Sequence, residues 1–272
     1  MRILVIPDVH GSHEWEVAKT FPHEEYDFIV FLGDYFDSWE NEWPDQGKNF
    51  EAICNFVRAD STHRKLLLGN HDWSYLSKTR RGAGVSGHQN GKIDEIRKLL
   101  LKNHDIIDLA FKCDGLVFSH AGVSRTWVRL LLKLFGREEK DFPDSMAFVD
   151  FLNKKWHKLS FWPGDADFNY DFEELLDWYG FYSRTGNEVT QGPLWIRPEA
   201  LLKDAFYRNQ VVGHTEYCMG DFLVLCGNDQ SKSFKNMVII ADSKNHKVFG
   251  VIDTEHLPEN AMTFLDFTNS VY

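Results

Sequence analysis

The sequence predicts an α/β sandwich from the order of its strand and helix patterns. Short apolar runs, typical of strands buried on both faces, occur at residues 3–6, 28–32, 65–68, 116–119 and 210–213. Segments with helical periodicity separate several runs, and a polar residue with metal-ligand chemistry follows each run. Ligands that emerge from the ends of buried strands share one rim of a sheet. We therefore expect the functional side chains to lie along a single sheet edge.

The helices between the strands are predicted from apolar residues at helical spacing. Phe50, Ile53, Cys54 and Val57 follow the i, i+3, i+4, i+7 pattern, and residues 93–103 follow a similar one. Such spacing places apolar side chains on one face of a helix, where a sheet can cover them.

Residues 124–190 change from strand patterns to helical patterns. We therefore expect a helical insertion here, within a single domain that spans residues 1–272. An amphipathic stretch begins near Val128, and further helices are expected at residues 145–156 and 172–179. We expect the aromatic residues of the insertion to form a small core of their own rather than to stack on a substrate. These residues are Trp127, Trp156, Trp162, Trp178 and Tyr179.

The end of the chain returns to strand patterns, at residues 237–241, 248–252 and 262–267. Turn-rich segments separate these three stretches. We expect the three strands to complete a second sheet.

Composition limits the classes of function. A chain of 272 residues, 43% of them hydrophobic, can bury one large core. Its net charge of −11 argues against stable binding to nucleic acid or to an anionic membrane. Four cysteines without a C-x-x-C pair, no apolar run near ~18 residues and no expected signal peptide favour a cytoplasmic protein. Nothing in the sequence indicates the oligomeric state.

The polar residues that follow the apolar runs have the chemistry of metal ligands. Carboxylate and amide oxygens suit hard divalent cations, whereas imidazole suits zinc, iron and manganese, so a mixture favours transition metals over calcium. If Asp34 bridged two cations, these would lie ~3.5–4 Å apart and could activate a water molecule as a nucleophile. The candidate ligands are Asp8, His10, Asp34, Asn70, His120 and His214.

A proton donor for the leaving oxygen is also predicted. His71 follows the candidate ligand Asn70 directly, and histidine is suited to acid catalysis near neutral pH. Asp37 could orient and charge His71, or it could cap the following helix. We expect the first of these roles.

Five segments together resemble a known family. In chain order they are D-V-H-G, G-D-Y-F-D, G-N-H-D, S-H-A-G and V-G-H-T, between Asp8 and Thr215. They resemble the calcineurin-like metallophosphoesterases and, within them, the bacterial branch of the phosphoprotein phosphatases. The resemblance implies a four-layer α/β/β/α sandwich and a metal-dependent phosphatase.

The resemblance also implies a role for each motif residue. Asp8, His10 and Asp34 would hold the first of two divalent cations. The second would be held by Asp34, Asn70, His120 and His214, with His71 as general acid and Asp37 as its partner. Manganese is the first expectation for both cations, with iron, zinc, cobalt and nickel as alternatives. Phosphoserine or phosphothreonine monoesters would be hydrolysed by direct attack of a metal-bound hydroxide.

Two positions depart from the family pattern. Asp72 stands where the third motif commonly ends in glutamate. Ser38 stands where phosphatase members usually carry an arginine that binds phosphate through two hydrogen bonds. We expect Arg197, in the segment G-P-L-W-I-R, to bind phosphate instead, together with Asn70. Arg80 or Arg81, in a basic, glycine-rich stretch, is an alternative.

Other functions stay open at this point. A hydrolase of dinucleoside polyphosphates or other nucleotides is the second expectation, and a nuclease is disfavoured by the acidic charge. A catalytically silent, metal-binding regulatory module is the alternative from another class. The expected partner of the enzyme is a phosphorylated protein or a small phosphoester.

Overall fold

The structure, a computed structural model, describes residues 1–22, 25–77, 85–144, 146–161, 169–177 and 185–215, and the backbone of four later strands. Arg80, Arg81, Trp162, Trp178 and Tyr179, which the sequence analysis singled out, lie outside the described residues. None of the helices in the described part combines the length and apolar character required to cross a membrane.

Strands and helices alternate along the first half of the chain, as predicted. The described strands are β1 (Arg2–Ile6), β2 (Phe28–Phe31), β3 (Arg64–Leu67), β4 (Ile107–Asp108), β5 (Ala110–Cys113), β6 (Leu116–Ser119), β7 (Asn209–Val212), β8 (Leu223–Asn228), β9 (Lys235–Ile240), β10 (Gly250–Asp253) and β11 (Thr263–Phe264). The described α-helices are α1 (Asp45–Arg58), α2 (Asn70–Leu76), α3 (Ile93–Lys102), α4 (Arg125–Leu134), α5 (Ala147–His157), α6 (Tyr170–Leu176) and α7 (Pro198–Asp204). The five predicted strands that precede the candidate ligands are confirmed to within one residue at each end.

The described strands form two sheets. One has the order β11-β10-β1-β2-β3-β4, and the other has the order β5-β6-β7-β9-β8. β1 to β4 pair in parallel, and so do β6, β7 and β9. The prediction that all the C-terminal strands complete the second sheet is wrong for β10 and β11. β10 pairs antiparallel with β1 and so covers the edge that β1 would otherwise expose.

The two sheets pack face to face, and helices cover their outer faces. In β1, Ile3 and Val5 join an apolar cluster with Phe118 of the second sheet, whereas Leu4 and Ile6 join the larger core on the helix side. This alternation follows from the two-residue period of a strand. Helices α1 and α3 contribute to the larger core, and α7 packs on the second sheet. The four-layer α/β/β/α sandwich is therefore confirmed.

Helices α4, α5 and α6 lie within residues 124–190. Trp127 and Trp156 are fully buried in the same core as Leu4 and Phe31, so a separate small core is the wrong description for these two indoles. The indole of Trp156 reaches the first sheet, since its Nε1 donates a hydrogen bond of 2.6 Å to the carbonyl oxygen of Ile107.

Candidate metal centre

The candidate ligands converge from both sheets. Asp8, Asp34 and Asn70 follow β1, β2 and β3 of the first sheet, whereas His120 and His214 follow β6 and β7 of the second. The expectation of a single sheet edge is therefore wrong. Because both sheets contain parallel strands and pack face to face, the ends of five strands meet at one end of the sandwich.

Asp34 lies at the centre of this cluster and is almost completely buried. Its Oδ2 is 3.5 Å from His120 Nε2, 3.9 Å from His10 Nε2 and 4.0 Å from His71 Nε2. Asp34 also belongs to both groups of side chains whose ligand atoms lie within 4.8 Å of one another, one with His10 and His71, the other with Asp8 and His120. This sharing is what a bridging ligand requires.

These two groups differ from the two sets of metal ligands that the resemblance implies. Asp8 lies with His120 rather than with His10, and His71 joins a group although its expected role is that of an acid. The assignment of each side chain to the first or second cation stays a prediction.

The side chains of Asn70, His120 and His214 meet at the Asn70 oxygen. The carbonyl oxygen of Leu32 lies 3.0 Å from His120 Nδ1 and can only accept, so Nδ1 carries the proton and Nε2 of the neutral ring has a lone pair. Asn70 Oδ1 lies 2.7 Å from this Nε2 and 2.9 Å from His214 Nδ1. With the His120 proton on Nδ1, no proton lies between its Nε2 and the Asn70 oxygen, and a metal cation would stabilise two lone pairs at this distance.

His10 has the same anchoring. Its Nδ1 donates to the carbonyl oxygen of Phe36 at 2.9 Å, which leaves Nε2 directed towards Asp34. A histidine that binds a metal through one nitrogen usually donates a hydrogen bond from the other, and such a bond fixes both the tautomer and the orientation of the ring. His10 and His120 therefore both have the hydrogen bonding expected of metal ligands.

The electrostatics of the cluster also fit a cation. Burial raises the pKa of Asp8 to about 7, and burial together with the charge of Asp8 holds the pKa of Asp34 well above its ordinary value. Burial lowers the pKa of His214 to about 3, with a further contribution from Arg197, and holds that of His120 well below its usual range. The two imidazoles are thus neutral at pH 7, and bound divalent cations would stabilise the charged form of the carboxylates.

His71 and Asp37 form a hydrogen-bonded pair beside this cluster. His71 Nδ1 lies 2.8 Å from Asp37 Oδ2, and Asp37 is fully buried. Asp37 does not cap the following helix, because α1 begins at Asp45 after Pro44. The backbone N–H of His71 donates to Asp34 Oδ1 at 2.9 Å, which ties the pair to the centre of the site.

Four of the candidate residues have a left-handed backbone. The φ angles are 42° at His10, 54° at Asp34, 67° at Asp37 and 61° at His214. Aspartate and histidine tolerate this region better than most residues, but each such position costs on the order of 1 kcal/mol or more. Strain at four residues of one cluster indicates that the fold holds these side chains in place at a cost in stability.

Asp72 has a structural role that the sequence analysis missed. Its carboxylate accepts backbone hydrogen bonds from Gly69 at 2.9 Å, Asp34 at 2.8 Å and Tyr35 at 2.9 Å. Burial raises its pKa to about 6, although these amides act in the opposite direction. Its position three residues after Gly69, at the start of α2, is the helix-capping signal that could have revealed this role.

Arg197 is close enough to His214 for its charge to act on that imidazole. Its side chain is exposed, its Nε donates to the carbonyl oxygen of Thr185 at 2.8 Å, and its charge contributes to the lowered pKa of His214. Within the described part of the chain, the two Nη atoms make no hydrogen bond.

Gly69, directly after β3, packs closely against Asp34 because it has no side chain. A Cβ at Gly69 would overlap both the carboxylate and the backbone nitrogen of Asp34. The φ of Gly69 is −98°, which alanine can adopt, so the penalty of Gly69→Ala is steric. We expect this substitution to lower the free energy of unfolding by about 1–3 kcal/mol and to weaken metal binding.

The comparison for Gly69→Ala is Gly91→Ala. A Cβ at Gly91 meets no atom within 4 Å, and the position is exposed. Thermal unfolding and metal titration of both variants would measure the difference. Equal effects of the two substitutions would contradict the close approach at Gly69.

The profile of the family described as calcineurin-like phosphoesterase matches residues 1–216. The crystal structure of a cold-active protein-tyrosine phosphatase from a psychrophilic Shewanella species is similar, with 17% identity over 97% of this chain and 77% of that chain and a TM-score of 0.58. A structure of a cold-active protein tyrosine phosphatase at 1.1 Å has 18% identity over 97% and 75% of the chains and a TM-score of 0.57.

A metallophosphoesterase from Sphaerobacter thermophilus is more distant, with 12% identity over 97% of this chain and 87% of that chain and a TM-score of 0.42. None of the curated proteins matches the chain significantly. At these identities, the cold-active phosphatase structures show the fold alone.

Proposed function

The chain belongs to the calcineurin-like phosphoesterase family, and from this premise we propose that it hydrolyses phosphomonoesters, with phosphoserine and phosphothreonine in proteins as first choice. The observation that carries the proposal is the convergence of buried carboxylates and neutral imidazoles on Asp34, beside the pair of His71 and Asp37. Two divalent cations, manganese first, are the proposed cofactors. A phosphorylated protein or a small phosphoester is the proposed partner.

Asp34 is proposed to contact both cations, with Asp8 and His10 on one side and the remaining ligands, Asn70, His120 and His214, on the other. When bound, the cations would polarise the phosphoryl oxygens and activate a water molecule. The chain's own contribution is to hold six ligand side chains in place through strand ends, backbone hydrogen bonds and strained φ angles.

His71 is proposed to donate a proton to the leaving oxygen. The His71 side chain is 12% exposed, so its ring can reach a bound substrate, whereas the Asp37 carboxylate is fully buried. The Asp37 carboxylate accepts from His71 Nδ1, which leaves Nε2 for the transfer. Asp37 thus orients the donor without touching the substrate.

A reducing compartment such as the cytoplasm is proposed from the cysteines. Within the described residues, Cys54 and Cys113 are free thiols. Stable binding of nucleic acid is not proposed, because the chain carries a net charge of −11.

The proposal is tested with a panel of substrates in the presence of Mn²⁺. The panel contains para-nitrophenyl phosphate, phosphoserine, phosphothreonine and phosphotyrosine peptides, bis-para-nitrophenyl phosphate and diadenosine tetraphosphate. Phosphotyrosine is included because a structure of the same fold belongs to a protein-tyrosine phosphatase. Preference for phosphoserine or phosphothreonine peptides would support the first choice, and inactivity on every substrate with metals bound would favour a silent regulatory module.

A second candidate, hydrolysis of nucleotides or dinucleoside polyphosphates, is favoured by Trp39. Its side chain is 78% exposed, and a Cβ added at Gly87 would lie 3.5 Å from the indole and 3.1 Å from the carbonyl oxygen of Asp37. An exposed indole at the rim of the site could stack on a nucleobase, a contact of ~1–3 kcal/mol. Trp39→Ala should then raise the KM for diadenosine tetraphosphate about 10-fold or more and leave the KM for phosphoserine peptides unchanged.

Arg197 is proposed to bind the substrate phosphate in place of the arginine that is missing at Ser38. Charge-assisted hydrogen bonds contribute ~1.5–3 kcal/mol, so we expect Arg197→Ala to raise the KM for a phosphopeptide about 10- to 100-fold. Arg197→Lys should recover part of the loss, because lysine keeps the charge but not the planar fork. Steady-state kinetics would measure both, and an unchanged KM in Arg197→Ala would exclude the role.

A further inference from the structure

We infer that Tyr75 is a positioning residue for the proton donor, because it holds the second oxygen of the carboxylate that orients His71. This inference rests on the proposed function. The Tyr75 hydroxyl donates a hydrogen bond to Asp37 Oδ1, while Asp37 Oδ2 lies 2.8 Å from His71 Nδ1. Tyr75 and His71 lie one helical turn apart on α2. Both oxygens of Asp37 are therefore held by side chains of one short helix.

The direction of the Tyr75 hydroxyl is itself determined by the chain. The backbone N–H of Gln89 donates to the hydroxyl oxygen at 2.9 Å, so the hydroxyl accepts from Gln89 and donates to Asp37. The ring of His88 stacks on the ring of Tyr75, with centroids 4.3 Å apart and planes 16° apart. Residues 87–89, which we call the clasp segment, thus hold Tyr75 from outside.

The clasp segment also packs against Asp37 directly. Gly87 has a φ of 72°, and a Cβ at this position would lie 3.1 Å from the carbonyl oxygen of Asp37 and 3.5 Å from its Cβ. Asp37 itself has a left-handed φ of 67°. The clasp segment therefore lies against both the backbone of Asp37 and the hydroxyl group that binds its carboxylate.

The arrangement has a consequence for proton transfer. A carboxylate held through one oxygen can rotate about its Cβ–Cγ bond, and His71 would then lose its fixed direction. With both oxygens bonded, Asp37 keeps one orientation and presents Oδ2 to His71 throughout turnover. Among the described residues, the Tyr75 hydroxyl bonds only Asp37 and the Gln89 backbone and none of the proposed metal ligands, so it acts through Asp37.

Tyr75→Phe tests the inference, since it removes the hydroxyl and keeps the ring stacked on His88. Phenyl phosphate has a poor leaving group that needs the acid, whereas para-nitrophenyl phosphate has a good leaving group that needs it little. We expect kcat for phenyl phosphate to fall about 10-fold, with kcat for para-nitrophenyl phosphate within about 2-fold of wild type. The KM values and the metal content should not change.

The matched control is Tyr35→Phe. The Tyr35 ring is also buried, and its hydroxyl donates a 2.7 Å hydrogen bond to the carbonyl oxygen of Leu67 rather than to Asp37. This variant should lose some stability but keep the wild-type ratio of the two kcat values. An equal loss on both substrates in Tyr75→Phe, or the same ratio in both variants, would overturn the inference.

Two further variants keep the test decisive if Tyr75→Phe folds poorly. Gln89→Pro removes the N–H that orients the hydroxyl, and the φ of −87° at Gln89 is close to the range of proline. Like Tyr75→Phe, Gln89→Pro should lower the ratio of kcat for phenyl phosphate to kcat for para-nitrophenyl phosphate. In an Asp37→Asn background, Tyr75→Phe should have no additional effect on the ratio, and additive losses would refute action through Asp37. Wild-type protein without activity on either ester would instead contradict the proposed function itself.

Discussion

Asp34→Asn is expected to lower phosphatase turnover by at least about 1000-fold and to weaken the binding of both cations. Asp34 is the residue shared by both groups of ligand atoms, and its Oδ2 faces three imidazoles within 4.0 Å. Asparagine removes a negative charge from the centre of the site. Metal ions contribute several kcal/mol to the stabilisation of transition-state charge, and about 1.4 kcal/mol corresponds to a factor of ten in rate.

Metal analysis and thermal unfolding would check this prediction. The wild-type protein should bind two equivalents of Mn²⁺, with an unfolding midpoint that falls on addition of a chelator, because a cation that binds only the folded state stabilises it. Asp34→Asn should bind the metal weakly and respond little to the chelator. Asp45→Asn, which alters an exposed aspartate paired with His13 at 2.8 Å, should behave like wild type. Full metal content and full activity in Asp34→Asn would exclude the bridging role.

The fold could be predicted where the pattern is local. Residues 3–6 and 28–32 form strands because apolar runs of this length are buried from both sides, and Phe50 to Val57 form part of a helix because their spacing is local as well. Pairing between distant strands is not local. The pattern at residues 248–252 predicts a strand but cannot tell that β10 pairs with β1 and not with the second sheet.

The candidate site shows the same division. The set of side chains that converge could be predicted, because each candidate ligand follows an apolar run that is recognisable in the sequence. Their origin in two sheets could not, since that depends on how the sheets face each other. The left-handed backbone at His10 and Asp34 is likewise invisible in the sequence, where glycine is the usual signal for such a conformation.

Side chains that act through another residue were the hardest to predict. Asp72 and Tyr75 follow the candidate ligand Asn70 closely, yet their partners Asp34 and Asp37 lie 38 positions earlier in the chain. A tyrosine in a helix is by default a core residue, and Tyr75 is indeed buried. Only the contact of its hydroxyl with a carboxylate distinguishes it from the surrounding aromatic residues.

His71→Asn is expected to lower kcat about 100- to 1000-fold for phosphate esters with poor leaving groups while metal binding is retained. His71 Nδ1 donates a hydrogen bond to Asp37, and its Nε2 approaches Asp34 only to 4.0 Å, so the substitution removes Nε2 as the proposed proton donor. General acid catalysis by a positioned side chain contributes typically ~10²–10⁴-fold. The loss should shrink as the leaving group improves, because para-nitrophenolate departs without help.

A series of aryl phosphates of graded leaving-group acidity would measure this dependence, together with metal content. His63→Asn is the matched control, since His63 also pairs with an aspartate, Asp60, at 2.9 Å, but at the surface. The slope of log kcat against the leaving-group pKa should become steeper in His71→Asn alone. A loss that is equal across the series, together with reduced metal content, would instead make His71 a metal ligand, as its place beside His10 and Asp34 also allows.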